Sequence, residues 1–276
     1  MSVVPAGEAR IRDAFARAAG EGRAALVVYL TGCFPDPATS RACFEAAVEA
    51  GADVLEIGVP FSDPMMDGPI IQAANQAVLD AGVGVGDQLA LVGELAGLDV
   101  PKLVMTYVTI ADRRGYGRFA AECADAGLDG VILPDLPAEE AGEWVDHARD
   151  RGLATVFLAS SVSTDQRLRA IAGVSTGWVY ATGLLGVTGV RSVAGDVTRE
   201  LVARIRQVTD TPVAVGIGVK DRSSAAEVAA YADGVIVGSA VVRAAADGDP
   251  ATAPHRVGAL VRELSAGVAS ARPRSG

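Results

Sequence analysis

The sequence predicts an α/β chain folded as a (β/α)8 TIM barrel with an extra helix before its first strand. Three observations predict it. Eight short apolar, largely β-branched runs recur along the 276 residues. They lack strict alternation, as parallel strands covered on both faces do. Ala-rich amphipathic stretches separate most of them and close on Gly, a helix C-terminal signal. Eight strand–helix units in roughly 250 residues match the usual size of this barrel.

In chain order, a charged amphipathic stretch at about 7–20 reads as a helix that plugs one end of the barrel. The strands follow as "ALVVYLTG" (25–32), "DVLEIGVP" (53–60), "KLVMTYV" (102–108), "GVILPDL" (130–136), "ATVFLAS" (154–160), "GWVYATG" (177–183), "PVAVGIG" (212–218) and "GVIVGSA" (234–240). Stretches such as "TSRACFEAAVEAGA" and "EEAGEWVDHARDRG" read as the intervening helices, several opening on Ser, Thr or Asp as N-caps. A doubly wound open sheet would carry a glycine fingerprint after its first strand, and "YLTGCFPD" is not one. No composition shift divides the chain, so 1–276 reads as one domain, with a disordered tail from about 269 to 276.

Half the residues are hydrophobic but only 5% aromatic, so Ala, Val, Leu and Ile must build the interior. A net charge of −10 excludes a polyanion-binding role, for nucleic acid and for anionic membranes alike. Cys33, Cys43 and Cys123 fit no zinc spacing and read as reduced, buried thiols. The N-terminus turns charged before a signal-peptide core can form, and no apolar run reaches the roughly 18–20 residues that span a bilayer. A soluble, cytoplasmic protein is expected.

Barrel active sites lie at the C-terminal ends of the strands. Two intervals are longer than the rest there, one after the second strand and one after the sixth. Glu56 stands in the second strand among Leu55, Ile57 and Val59. Strand geometry turns it away from Leu55 and Ile57 and into the barrel. An unpaired glutamate buried there acquires a raised pKa, suited to acid–base work near neutrality. Lys102 is a weak partner for it, since it opens its own strand at the opposite end. Asp67 precedes the helix "GPIIQAANQAVLDAG"; it can bind a substrate N–H or cap that helix, and spacing alone leaves both roles open. Asp63 reads as a turn former.

"GIGV" (216–219), "GSA" (238–240) and "GVTG" (186–189) sit after the seventh, eighth and sixth strands, where barrels bind phosphate through glycine backbone and helix N-termini. Tyr180 in the sixth strand, Tyr107 in the third and Asp135 at the end of the fourth either line the pocket or fill the barrel. His147 and His255 read as solvated helix residues, no cluster has metal-ligand spacing, and no Ser–His–Asp arrangement emerges. The residues alone therefore describe a barrel enzyme acting on a phosphorylated small molecule by carboxylate acid–base catalysis.

"LEIGVPFSDPMMDGPIIQAA" closely resembles the signature segment of the tryptophan synthase alpha subunit family. "PDLPAEE", "YATGLLGVTG", "GIGVK" and "GSAVV" follow in that family's order, so the resemblance spans nearly the whole chain. It implies the same barrel and cofactor-free retro-aldol cleavage of indole-3-glycerol phosphate to indole and glyceraldehyde 3-phosphate. Glu56 would be the proton-moving carboxylate, and Asp67 would accept the indole N–H and stabilise the indolenine cation. Tyr180 would lie beside the reacting carbon. Gly189, Gly218, Gly238 and Ser239 would bind phosphate, and Thr188 would help close a loop over Asp67. The resemblance also implies a beta subunit that carries pyridoxal phosphate, an alpha–beta–beta–alpha assembly, and indole passed between subunits, with Pro60 and the loops after the second and third strands facing the partner. "TGCFPD", Thr109, "ASSVSTDQR" and Gly183 depart from the family pattern, and none of them touches Glu56 or Asp67.

Overall fold

The computed structural model describes residues 4–183 and 191–271. Helix α1 (Ala6–Gly20) leads into β1 (Ala25–Thr31), α2 (Pro37–Glu49) and β2 (Val54–Gly58). Two helices, α3 (Pro69–Asp80) and α4 (Val85–Glu94), separate β2 from β3 (Lys102–Met105). Then come α5 (Val108–Arg114), α6 (Tyr116–Asp125), β4 (Gly130–Ile132), α7 (Gly142–Asp150), β5 (Ala154–Ser160), α8 (Asp165–Val174) and β6 (Val179–Thr182). The chain closes with α9 (Arg191–Arg206), β7 (Val213–Val215), α10 (Arg222–Ala229), β8 (Gly234–Val237), α11 (Ser239–Ala246) and α12 (Ala253–Ser270). All strands pair in parallel with their sequence neighbours, and β8 returns to β1, closing the barrel.

The eight predicted strands all form, several of them shorter than their apolar runs. β4 stops at Ile132, two residues before Pro134, which cannot continue a ladder, and β3 stops at Met105, shortly before the chain enters α5 at Val108. The extra length after β2 is a loop followed by two helices. Residues 269 and 270, expected in the tail, form the last turn of α12; the remainder of that expected tail, 272–276, lies outside the described residues. Asp36, Thr164 and Asp221 cap α2, α8 and α10 through their side chains.

Two apolar layers hold the fold. Inside the barrel, Val27, Val54, Leu103, Ile132, Val156 and Trp178 pack on Ile11, Ala14, Phe15 and Ala18 of α1, so that helix does plug the N-terminal end. Between barrel and helices lie Leu26, Val28, Leu55, Ile57, Val104 and the buried faces of the outer ring. The three cysteines are free and buried. Among the described residues, no helix is long and apolar enough to cross a membrane.

The N-terminal rim carries a repeated device. Asp53, Asp129 and Asp233 each stand just before an even-numbered strand. Each accepts a backbone N–H from the first or second residue of the preceding strand: Leu26 at 2.8 Å, Lys102 at 2.9 Å and Val213 at 2.8 Å. Each also pairs with an arginine, Arg23, Arg10 and Arg206 respectively. The Lys102 ammonium lies at this same end, donating to the Leu98 and Val100 carbonyls, and so is no partner for Glu56.

Candidate active site

Strand parity places Glu56. Leu55 and Ile57 belong to the outer layer and Val54 to the inner one, so Glu56 points inward, one level above Val54. It is 1% exposed, and its Oε2 has no hydrogen-bond partner among the described residues. Burial pushes its pKa up to about 8, the charge of Asp67 adding to the rise. At neutral pH it is mainly a neutral carboxylic acid with a proton to give.

Two enclosed phenols flank it. Tyr29 of β1 is the register partner of Glu56, and Tyr180 comes from β6. Burial raises both phenols far above their ordinary value; Asp67 is the main charge acting on Tyr29 and Glu56 the main charge acting on Tyr180. Gly58 and Gly216 make room for them, since a Cβ on either would overlap the Tyr29 or Tyr180 hydroxyl. Tyr180 therefore lies beside Glu56 at the barrel mouth. Tyr29 escaped the sequence reading, although the same period of two that turns Glu56 inward also turns Tyr29 inward with Val27.

Asp67 does not cap α3. Gly68 is the N-cap, with no side-chain bond to the helix, and Pro69 begins the helix with no N–H to satisfy. The Asp67 carboxylate instead accepts from Asn75 Nδ2 at 3.2 Å. Burial raises its pKa, while hydrogen bonds from Tyr107 and Asn75 pull it back down.

Tyr107 is not in β3 but at the N-cap of α5, two residues beyond the strand. From there its ring stacks on Phe61, with centroids 5.0 Å apart, and its hydroxyl accepts the Met66 N–H at 2.9 Å. The same hydroxyl reaches Asp67. Asp135 lies past β4, which ends at Ile132, and its carboxylate accepts the Val108 N–H at 2.8 Å. It thus holds the first N–H of α5, the residue next to Tyr107.

At the other side of the mouth, the turns after β7 and β8 lie together because those strands pair. Gly218 has φ +67°, a conformation that favours glycine. Gly238 is the N-cap of α11 and Ser239 its first residue, with no side chain capping that end. Uncapped first-turn N–H groups are anion donors. A Cβ on Gly238 would come 3.3 Å from Tyr29 Cδ1, so this turn abuts the phenol beside Glu56. Thr188 and Gly189 lie outside the described residues.

A cavity of about 1130 Å³ opens at the opposite end against α1 and the turn before β7. Its arginines are already paired, Arg12 with Glu8, Arg23 with Asp53 and Arg206 with Asp233, and it contains none of the residues named at the C-terminal mouth.

Fold and site together define a (β/α)8-barrel enzyme with two carboxylates of unlike surroundings at the C-terminal mouth. Residues 15–268 match the family described as "Tryptophan synthase alpha chain". The tryptophan synthase alpha chain of Streptomyces coelicolor is 48% identical over 260 residues, 94% of this chain and 96% of that one. That of Mycobacterium avium is 44% identical over 268 residues, 97% of each chain. Among solved structures, Mycobacterium tuberculosis tryptophan synthase superposes with a TM-score of 0.87 at 44% identity, covering 94% of this chain and 98% of that one. The alpha subunit from Legionella pneumophila gives 0.85 at 31% identity, covering 94% and 98%. The chain belongs to the tryptophan synthase alpha chain family.

Proposed function

We propose that the chain is a carbon–carbon lyase that cleaves indole-3-glycerol phosphate to indole and glyceraldehyde 3-phosphate. One observation carries the reading: Glu56 is a fully enclosed acid without a hydrogen-bond partner among the described residues, and Asp67 beside it is held by donors. Two carboxylates in unlike surroundings divide the two tasks that this cleavage requires.

Protonated Glu56 gives its proton to indole C3. The positive charge that results is shared with the indole nitrogen, where the Asp67 carboxylate accepts the N–H and stabilises the cation. The Glu56 carboxylate then takes the proton of the glycerol hydroxyl next to the ring. As the C–C bond breaks, its electrons return to the indole and the hydroxyl carbon becomes the aldehyde. Glu56 ends the cycle protonated. Tyr180 packs beside the reacting carbon, and Tyr107, buttressed by Asp135, holds Asp67. Gly218, Gly238 and Ser239, with Thr188 and Gly189, receive the phosphate. No step needs a cofactor of this chain.

The partner in this reading is a beta subunit, joined as an alpha–beta–beta–alpha heterotetramer in the cytoplasm, which holds pyridoxal phosphate and receives the indole. The loop after β2 suits that contact: Met65 is 79% exposed, and Phe61 and Met66 tie the loop to Tyr107.

The test is indole release from indole-3-glycerol phosphate by the purified chain, alone and with a beta subunit. Slow release alone and much faster release together is expected. Equal, fast release in both would make the chain a self-sufficient lyase, and no indole in either would end the reading.

A further inference from the structure

Asn75 is a polar residue on the buried face of α3. Ala74 and Val78, its neighbours on that helix, are buried apolar residues, and Asn75 itself is 3% exposed. A buried amide needs partners for both ends. Its Oδ1 accepts from Thr31 Oγ1 at 3.2 Å, and its Nδ2 donates to Asp67 Oδ2 at 3.2 Å. Thr31 ends β1 and is 1% exposed.

The polarity of this chain of bonds has one solution. An ionised carboxylate only accepts, so Asn75 must turn its N–H toward Asp67. Its oxygen then faces Thr31, whose hydroxyl must donate. Were the amide reversed, two acceptors would meet at the Asp67 contact.

We propose that Asn75, polarised by Thr31, is the positioning residue that aims the Asp67 carboxylate and keeps it ionised in its buried site. The groups facing Asp67 are Glu56 from β2, Tyr29 from β1, Tyr107 from the start of α5 and Tyr180 from β6. Burial opposes ionisation of Asp67, and hydrogen bonds from Tyr107 and Asn75 favour it; the Asp67 charge in turn helps keep Glu56 protonated. Asn75 thereby lets two neighbouring acids differ in charge, one protonated and one not. The catalytic consequence rests on the lyase reading above; the titration of Asp67 does not.

Two variants test it, Asn75→Leu and the isosteric Thr31→Val. In chain labelled with ¹³C at aspartate carboxyls, the Asp67 resonance is assigned by its loss in Asp67→Asn, and its titration is followed without substrate. Losing one charge-assisted donor raises the Asp67 midpoint by about one pH unit in Asn75→Leu, and by less in Thr31→Val. For indole release with the beta subunit present, kcat falls about tenfold with KM little changed. The double variant is no worse than Asn75→Leu alone, since both act through one bond. An unshifted Asp67 titration in Asn75→Leu, or additive losses in the double variant, would overturn the proposal. Should Asn75→Leu not fold, the shift in Thr31→Val decides alone. A wild-type chain that releases no indole while Asp67 still shifts would defeat the lyase reading and leave the positioning role standing.

Discussion

Tyr29 on β1 and Glu56 on β2 stand at the same register level of the barrel, both buried, with the Tyr29 hydroxyl occupying the space that a side chain on Gly58 would take. The acid is thus walled by a phenol and by glycine backbone, and no cation among the described residues reaches it. The raised pKa follows from that enclosure.

Replacing Glu56 by Gln keeps the shape and removes the proton. Indole release falls at least about 10²-fold while the chain stays folded. Near-normal turnover in that variant would remove Glu56 from the mechanism.

The same acid costs stability at alkaline pH. It titrates near 4.5 when unfolded and near 8 when folded. Between these values the folded chain holds a proton that the unfolded chain has released. This group's contribution to stability therefore falls as pH rises, by roughly 1.4 kcal/mol per unit, and levels off above the folded value. Thermal melts at pH 5 and pH 9 should show Glu56→Gln gaining on wild type at the higher pH. An equal difference at both would mean that the acid is not held neutral.

Gly238→Val places a branched side chain at the start of α11, where a Cβ already comes 3.3 Å from Tyr29 Cδ1 and 3.6 Å from Ile71 Cδ1. KM rises about tenfold or more, because the branch obstructs the uncapped N–H groups, while kcat changes less. Steady-state kinetics with the phosphorylated substrate checks this, and an unchanged KM would move the phosphate site elsewhere.

Asp129→Ala acts at the other end of the barrel. It leaves the Lys102 N–H without its acceptor and removes one of the two carboxylates paired with the partly solvated Arg10, which keeps Asp99. Unfolding free energy drops by about 1–3 kcal/mol, the cost of a buried donor left unpaired. Indole release by the folded fraction stays close to wild type. Denaturant titration and turnover measured on the same sample separate the two effects.

Much of this was legible in the linear chain. The strands, the plugging helix and the inward turn of Glu56 follow from local periodicity, because alternation along a strand needs no knowledge of what lies opposite. The glycines at the strand ends were equally plain. Other roles could not be read there. Spacing left Asp67 between capping α3 and serving a ligand, because Asp is common before a helix; Gly68 takes the cap and leaves the carboxylate to Asn75. Apolar continuity carried Tyr107 and Asp135 into strands that in fact end earlier, and those few residues convert Tyr107 into a partner of Asp67 and Asp135 into a helix cap.

The sequence by itself determined the barrel and the inward turn of Glu56, since each rests on patterns within one strand or one repeating unit. The tertiary structure decided how the second carboxylate is held. Thr31 and Asn75 are 44 positions apart, and Tyr107 is 41 from Met66. Contacts at that separation depend on how β1, α3 and the start of α5 converge at the barrel mouth. Hydrophobic periodicity specifies each of those elements singly and carries no information about which polar atoms meet once they pack.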